Sequence, residues 1–391
     1  MTVLLMKLAL TVLCFGVSYG VAMGLAKTRW FTYLDERRDR LGAIDGLRGY
    51  LAIMVFFHHV VITWYWKDTG HWVYPPETWF KGFGSVGVSV FFMITGYLFM
   101  TKVLRDQDGI HWGRMLISRV FRILPLYFLA LAMLSLIVFA GSDGVLRVPV
   151  SELLAQYGSW LLFDGVTINH YEDTRLITSQ VQWTLQYEWF FYLCLPVVAF
   201  IVYRGKIAAW LLLLVFMAGV VFPQEIGDIK TKTLIFFIVG GVTAYLARYF
   251  PQLAVVAQQR WVSYAMLLPL LGALFIPKQY GPIYVVLLPF FFVPVAFGND
   301  LWGLLSTKAS IVLGEISYSI YLLHGIILFV LFTSWTVVDL TTISLVECLL
   351  LMPLMTVLVV GVSALTYLRI ESPSITLGRR LGARWCYMRD E

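Results

Sequence analysis

Charge is what this chain most conspicuously lacks. Only 13% of its 391 residues are Asp, Glu, Lys or Arg, while 60% are hydrophobic. A soluble domain carries about 25% charged residues. A chain this poor in charge reads as a polytopic membrane protein. Cysteine is scarce too, with four in all. Cys14, Cys194 and Cys348 lie in apolar runs and Cys386 lies in the tail. No spacing among them suggests a disulfide framework or a zinc site, so no metal is expected. A glycine-rich phosphate loop, a dinucleotide fingerprint, an H-E-x-x-H pair and a G-x-S-x-G elbow are all absent. There is no low-complexity tract and no convincing short repeat. A net charge of +6 would suit nucleic acid, but the basic residues sit in small groups at the ends of apolar runs. Membrane topology accounts for that pattern, and no nucleic-acid partner is expected.

What is present is a series of apolar runs. Hydropathy and length place candidate spans at 3–25, from about 48, and at 84–102, 119–140, 183–203, 207–222, 231–249, 262–277, 282–297, 311–332 and 344–368. The expected fold is therefore an all-α bundle of about 11 transmembrane helices. The first run is long enough to span, and its basic cluster follows it. It reads as a true first helix with the N-terminus outside; an uncleaved signal sequence is the alternative. With that orientation, 21 Lys and Arg fall on the cytoplasmic side and eight on the other. That split satisfies the positive-inside rule and puts the C-terminus in the cytoplasm. The expected organisation is residues 1–40 as an N-terminal helix with a basic interfacial segment, 41–373 as the main membrane domain, and 374–391 as a basic tail. The outer connection at 141–182 is long enough to be a functional rim.

Arg48 opens the run R-G-Y-L-A-I-M-V-F-F-H-H and His59 closes it. Ionisable groups in such a run are expensive and need a reason. Eleven positions are almost three helical turns, so the two share a face roughly 16 Å apart along the axis. His58 points about 100° away and matches that face less well. A neutral imidazole near mid-depth can take a proton from a hydroxyl; a structural histidine is the plainer alternative. Asp45 precedes this helix. Arg119 and Arg122 lie three apart on one face, which suits a phosphate clamp or, alternatively, snorkelling to lipid headgroups. Pro125 follows them and should kink the span. Gly87, Thr95 and Gly96 read as helix-packing positions. Glu188, inside a span, needs a cation or a histidine as partner, and could orient His59 or an arginine. Trp183 and Tyr192 read as packing or interfacial anchors. Ser317, Tyr321 and His324 form a polar stripe that should face protein. His324 is a second base or a hydrogen-bond partner.

Six stretches in order carry a resemblance over residues 41–373. They are G-L-R-G-Y-L-A with Arg48 and the later His59, G-V-S-V-F-F-M-I-T-G-Y-L, R-V-F-R-I-L-P-L-Y, W-T-L-Q-Y-E-W-F-F-Y with the following L-P, I-S-Y-S-I-Y-L-L-H, and E-S-P at 371–373. Together they resemble the acyltransferase-3 family of integral membrane acyltransferases. The resemblance implies transfer of an acyl group, usually acetyl from acetyl-CoA, to a carbohydrate hydroxyl. It implies an arginine–histidine pair at Arg48 and His59 and paired arginines at Arg119 and Arg122. It also implies a bacterial inner-membrane location and an acceptor such as lipopolysaccharide O-antigen, peptidoglycan or a smaller glycoside. Thr95 stands where the family commonly has serine, and the helix at 3–25 looks additional to the family's ten-helix core. Only about 20 polar residues follow the last span. The C-terminal hydrolase-like domain of some relatives is thus not expected here, and a second transfer step would need a separate extracytoplasmic partner.

The expected mechanism follows. Acetyl-CoA binds from the cytoplasm with its phosphates on Arg119, Arg122 and Arg48. A carbohydrate or glycolipid acceptor enters from the outer face, among membrane lipid, and His59 removes its proton. Direct transfer and an acyl-histidine both remain open. The competing class is a transporter or flippase of a glycolipid or small solute, because buried His, Arg and Glu also suit a proton relay.

Overall fold

The computed structural model describes residues 2–35, 42–106, 110–203, 225–226, 229–277 and 280–387. Among these residues the only ladder of strands pairs Glu225–Ile226 with Ile229–Lys230. Everything else of regular structure is helical, as the absence of alternating patterns leads one to expect. The bundle is built from α1 (Thr2–Ala26), α2 (Gly42–Thr69), α3 (Thr78–Arg105), α4 (Trp112–Gly141), α5 (Trp183–Tyr203), α6 (Thr231–Tyr249), α7 (Pro282–Ala296), α8 (Lys308–Glu315), α9 (Ser317–Phe329), α10 (Leu345–Thr366) and α11 (Ser372–Tyr387). Seven runs among the described residues are long and apolar enough to cross a bilayer. Three further expected spans are shorter apolar helices, at Thr233–Tyr249, Arg260–Leu274 and Ile283–Ala296. The expected span at 207–222 lies outside the described residues.

The centre of the bundle is α2. It packs against α3, α8 and α9. In its most apolar window 89% of residues are buried, against 22% for α1. A helix apolar on all sides belongs inside a bundle, and α2 is placed there. α1 lies at the periphery against α8 and α10. Lys7 Nζ pins it by donating to Glu77 Oε1 at 2.6 Å, while Tyr65 donates to Glu77 Oε2 at 3.1 Å.

α3 also makes a close seam with α6. A Cβ on Gly96 would stand 2.0 Å from Phe237 O, and one on Gly240 would stand 2.0 Å from Met93 O. Small residues are what allow backbones this close within a membrane.

The expected single span at 311–332 is interrupted. Ile316 leaves helical geometry between α8 and α9, with φ −88° and ψ 4°. A π-helical turn, Val330–Ser334, then ends α9. A second, Tyr367–Glu371, joins α10 to α11 and leaves Glu371 buried. Such turns are rare and cluster at functional sites. α4 runs on through Pro125.

The 141–182 connection is an ordered rim. It contains helices Val150–Leu161 and Thr174–Ile177. Asn169 staples it, with Nδ2 donating to Val145 O at 2.8 Å and Oδ1 accepting from Arg147 N at 2.7 Å. Tyr127 of α4 reaches up to donate to Trp160 O at 2.6 Å.

Candidate active site

Three cavities follow one another along α3. The first, of about 550 Å³, lies at the C-terminal end of α3. The second, of about 210 Å³, is central. The third, of about 380 Å³, lies towards the N-terminal end of α3. The first and second share Leu98, Phe99 and Arg119 in their walls. The second and third share Val88 and Tyr321.

The first cavity is basic. Lys102 and Arg105 come from the last turn of α3, Arg114 and Arg119 from α4, and Arg379 from α11. Among the described residues Asp106 is the one carboxylate in its wall. Arg105 Nε donates to Asp106 Oδ1 at 2.8 Å, and that bond holds the aspartate carboxyl below its usual range. Asp106 therefore offsets Arg105 and leaves the cavity strongly positive. A positive, partly enclosed site concentrates anions.

Arg48, Arg119 and Arg122 all line the central cavity, together with Glu188 and Tyr192. Arg119 lies over the Phe99 ring at 5.3 Å, a cation–π contact. Its Nε is buried without a hydrogen-bond partner among the described residues. A buried donor left open at a cavity wall is a place where a bound ligand can supply an acceptor. Glu188 accepts from Tyr192 at 2.9 Å. Its surroundings are the arginines, not His59. Asp45 Oδ1 sits 4.0 Å from Arg48 Nη1.

His59 lines the third cavity. Its partner is His324, with Nδ1 and Nε2 2.9 Å apart. His324 Nδ1 in turn faces Ile320 O at 2.8 Å. A carbonyl only accepts, so the proton on His324 is on Nδ1 and its Nε2 carries a lone pair. His59 must then donate through Nδ1–H. That leaves the His59 Nε2 lone pair as the base, oriented by a second imidazole. Trp72 lies nearly parallel to His59, with ring centroids 6.3 Å apart.

The structure thus brings Arg48, Arg119, Arg122, Glu188 and Tyr321 together, and separately pairs His59 with His324. Arg48 and His59 belong to one helix and to adjacent cavities. Ser317 donates to Gly314 O at 2.7 Å and also borders the central cavity. Thr95, read as a packing position, borders it as well, while Trp183 borders the third cavity and Tyr192 bonds the buried carboxylate. His58 is a larger surprise. Its angular offset from His59 argued against a shared role, yet both line the third cavity, with ring centroids 5.0 Å apart. The cavity wraps the end of α2 widely enough to meet both. Of the basic cavity the sequence singled out Arg119 alone; Lys102, Arg105 and Arg114 join it because α3 and α4 meet there, and Arg379 because α11 packs on α4.

Comparison with known proteins identifies a family. The family model described as "Acyltransferase domain" matches residues 41–368. Proteins named "Putative O-acetyltransferase" in Staphylococcus aureus strains MSSA476 and MRSA252 are 26% identical over 178 residues, 44% of this chain and 26% of theirs. Nodulation protein 10 of Rhizobium leguminosarum bv. viciae is 28% identical over 185 residues, 45% of this chain and 48% of its own. The match therefore spans about a quarter of the staphylococcal relatives and about half of the rhizobial one. No solved structure matches. With most of its length covered by that one model, the chain belongs to the acyltransferase-3 family of membrane acyltransferases.

Proposed function

We propose that this protein is a membrane O-acyltransferase that moves acetyl from acetyl-CoA to a hydroxyl of a surface glycan or other glycoside. The observation that carries this reading is the row of three cavities, basic, arginine-lined and histidine-lined, each sharing wall residues with the next. Phosphates of the CoA moiety would lie in the basic cavity, held by Arg114, Arg119 and Arg379. Guanidinium groups suit phosphate oxygens by charge and by their planar fork. The thioester arm would extend past Arg48 and Arg122 towards His59.

The histidine cavity suits a sugar. Trp72, Tyr74, Trp183 and Tyr280 give it broad aromatic walls, and Ser85 and Gln180 add polar groups. Aromatic faces offer an apolar surface to a sugar ring while hydroxyls find polar partners. In the reaction, His59 Nε2 takes the proton of the acceptor hydroxyl. The oxygen attacks the thioester carbonyl and forms the new ester bond. The C–S bond breaks, and the CoA thiolate recovers the proton from His59. His324 holds the imidazolium by accepting from its Nδ1–H.

By this reading the basic cavity faces the cytoplasm and the histidine cavity faces outward, in the bacterial inner membrane. The excess of Lys and Arg on one side supports that orientation. The test uses inverted membrane vesicles from the source cells, which carry their own acceptor, supplied with radiolabelled acetyl-CoA. Label should enter membrane glycan with the wild type and not with His59→Ala. A transporter or flippase would release no CoA in this assay, and that result would replace the present reading.

A further inference from the structure

We propose that Val88 and Tyr321 form the passage that sets the length of the acyl group transferred. The proposal rests on the donor and acceptor sites assigned above. Among the described residues Val88 and Tyr321 are the ones that line both the central and the histidine cavity. They are 6% and 8% exposed. An acyl group attached to a thioester in the central cavity leads the molecule, and it must pass between these side chains to reach His59.

Tyr321 is fixed on its side of the passage. Its hydroxyl lies 2.9 Å from Thr184 Oγ1 and 3.2 Å from Val181 O. Thr184 itself donates to Val181 O at 3.1 Å. The ring meets Phe91 edge-on, with centroids 6.1 Å apart. Swinging it aside would break buried hydrogen bonds, which is costly.

The opposite wall cannot retreat either. Val88 follows Gly87, where α3 is pressed onto α2. A Cβ on Gly87 would stand 2.7 Å from Val55 Cγ2 and 3.2 Å from Leu51 O. The helix backbone is thus pinned, and the β-branched side chain of Val88, stiff about χ1, defines the width. Width fixed by packed side chains discriminates by size. One methylene more or less in such a site changes rates by about 10- to 200-fold.

The experiment uses the full-length protein in inverted vesicles from the source cells, with radiolabelled acetyl-CoA and butyryl-CoA supplied separately. The quantity read is the ratio of butyryl to acetyl transfer. Val88→Ala should raise that ratio about tenfold, and Val88→Leu should lower it below the wild-type value. The two variants change size in opposite directions, so either one, if it accumulates as folded protein, decides the matter. A ratio within twofold of wild type in a variant that still transfers acetyl overturns the passage while leaving the proposed function standing. A wild type that transfers neither label overturns both.

Discussion

His59 Nδ1 and His324 Nε2 lie 2.9 Å apart although 265 residues separate them in the chain. The contact exists because α2 and α9 pack side by side at the bundle centre. It also assigns the protons, since Ile320 O can only accept from His324 Nδ1. A neutral imidazole thus does the orienting that a carboxylate performs in many hydrolases. His324→Ala should leave His59 free to rotate and lose the imidazolium's partner. Transfer should fall by about 100-fold, in the lower range for a proton-transfer contribution. His324→Gln, which can still present an acceptor to His59, should recover part of that loss. Initial rates in vesicles measure both, and equal rates for the two variants would exclude the orienting role.

His58 donates through Nδ1 to Phe80 O at 2.7 Å, so its Nε2 carries a lone pair. The ring fits because residue 84 is glycine. A Cβ there would stand 2.7 Å from Nε2 and 2.5 Å from Cδ2. Gly84→Ala should displace the imidazole and lower acceptor transfer about tenfold, the size of a 1–3 kcal/mol overpacking penalty at its lower end. The effect should be smaller when made in a His58→Ala background, because the clash then has no partner. A double-mutant cycle reads this directly. Additive losses would place the harm of the alanine elsewhere on α3.

The helical class and the central place of the helix that carries Arg48 and His59 were legible in the sequence for a simple reason. Low charge and long apolar runs leave few alternatives, and an ionisable residue inside such a run stands out. The pairing of His59 with His324 was not legible. Each histidine lies in its own apolar helix, and nothing local encodes that α2 touches α9. Glu188 shows the same limit. A partner was required, but whether an imidazole or a guanidinium depended on how α5 faces the bundle. His58 was discounted by helical angle alone. That argument assumes a cavity confined to one face, whereas the aromatic segment after α2 bends back and encloses both rings. The break at Ile316 had no marker such as proline or glycine at that position.

Arg119 belongs to both the basic and the central cavity, and its Nε has no internal partner among the described residues. If it holds a donor phosphate, Arg119→Lys should raise the KM for acetyl-CoA by tenfold or more, because an ammonium lacks the planar fork. The same change should also lose the stacking on Phe99. Arg379→Ala and Arg114→Ala, at the wider end, should act more weakly. Their mark should be a shallower rise of KM with salt, since exposed charges are the ones that ions screen. Rates measured across acetyl-CoA and salt concentrations separate the two classes. A KM unmoved in Arg119→Lys would remove that residue from the donor site.

The seam between α3 and α6 makes a prediction about stability that does not depend on the chemistry. At Gly96 a methyl group would meet Phe237 O at 2.0 Å, and at Gly240 it would meet Met93 O at the same distance. Backbone cannot yield as a flexible side chain can, so either alanine must force the helices apart. Overpacking of this kind costs about 1–3 kcal/mol and more where nothing can shift. On α1, by contrast, a methyl group at Gly16 or Gly20 would meet nothing within 4 Å. Alanine there relieves the entropic cost of glycine in a helix, a gain of roughly 0.5–1 kcal/mol. Thermal unfolding in detergent should therefore shift down for Gly96→Ala and Gly240→Ala, and stay level or shift up for Gly16→Ala and Gly20→Ala. If all four variants unfolded at the same temperature, the close approach of α3 and α6 would be wrong. If the α1 variants alone were destabilised, the lipid-facing side of α1 would have to be reassigned to a protein contact.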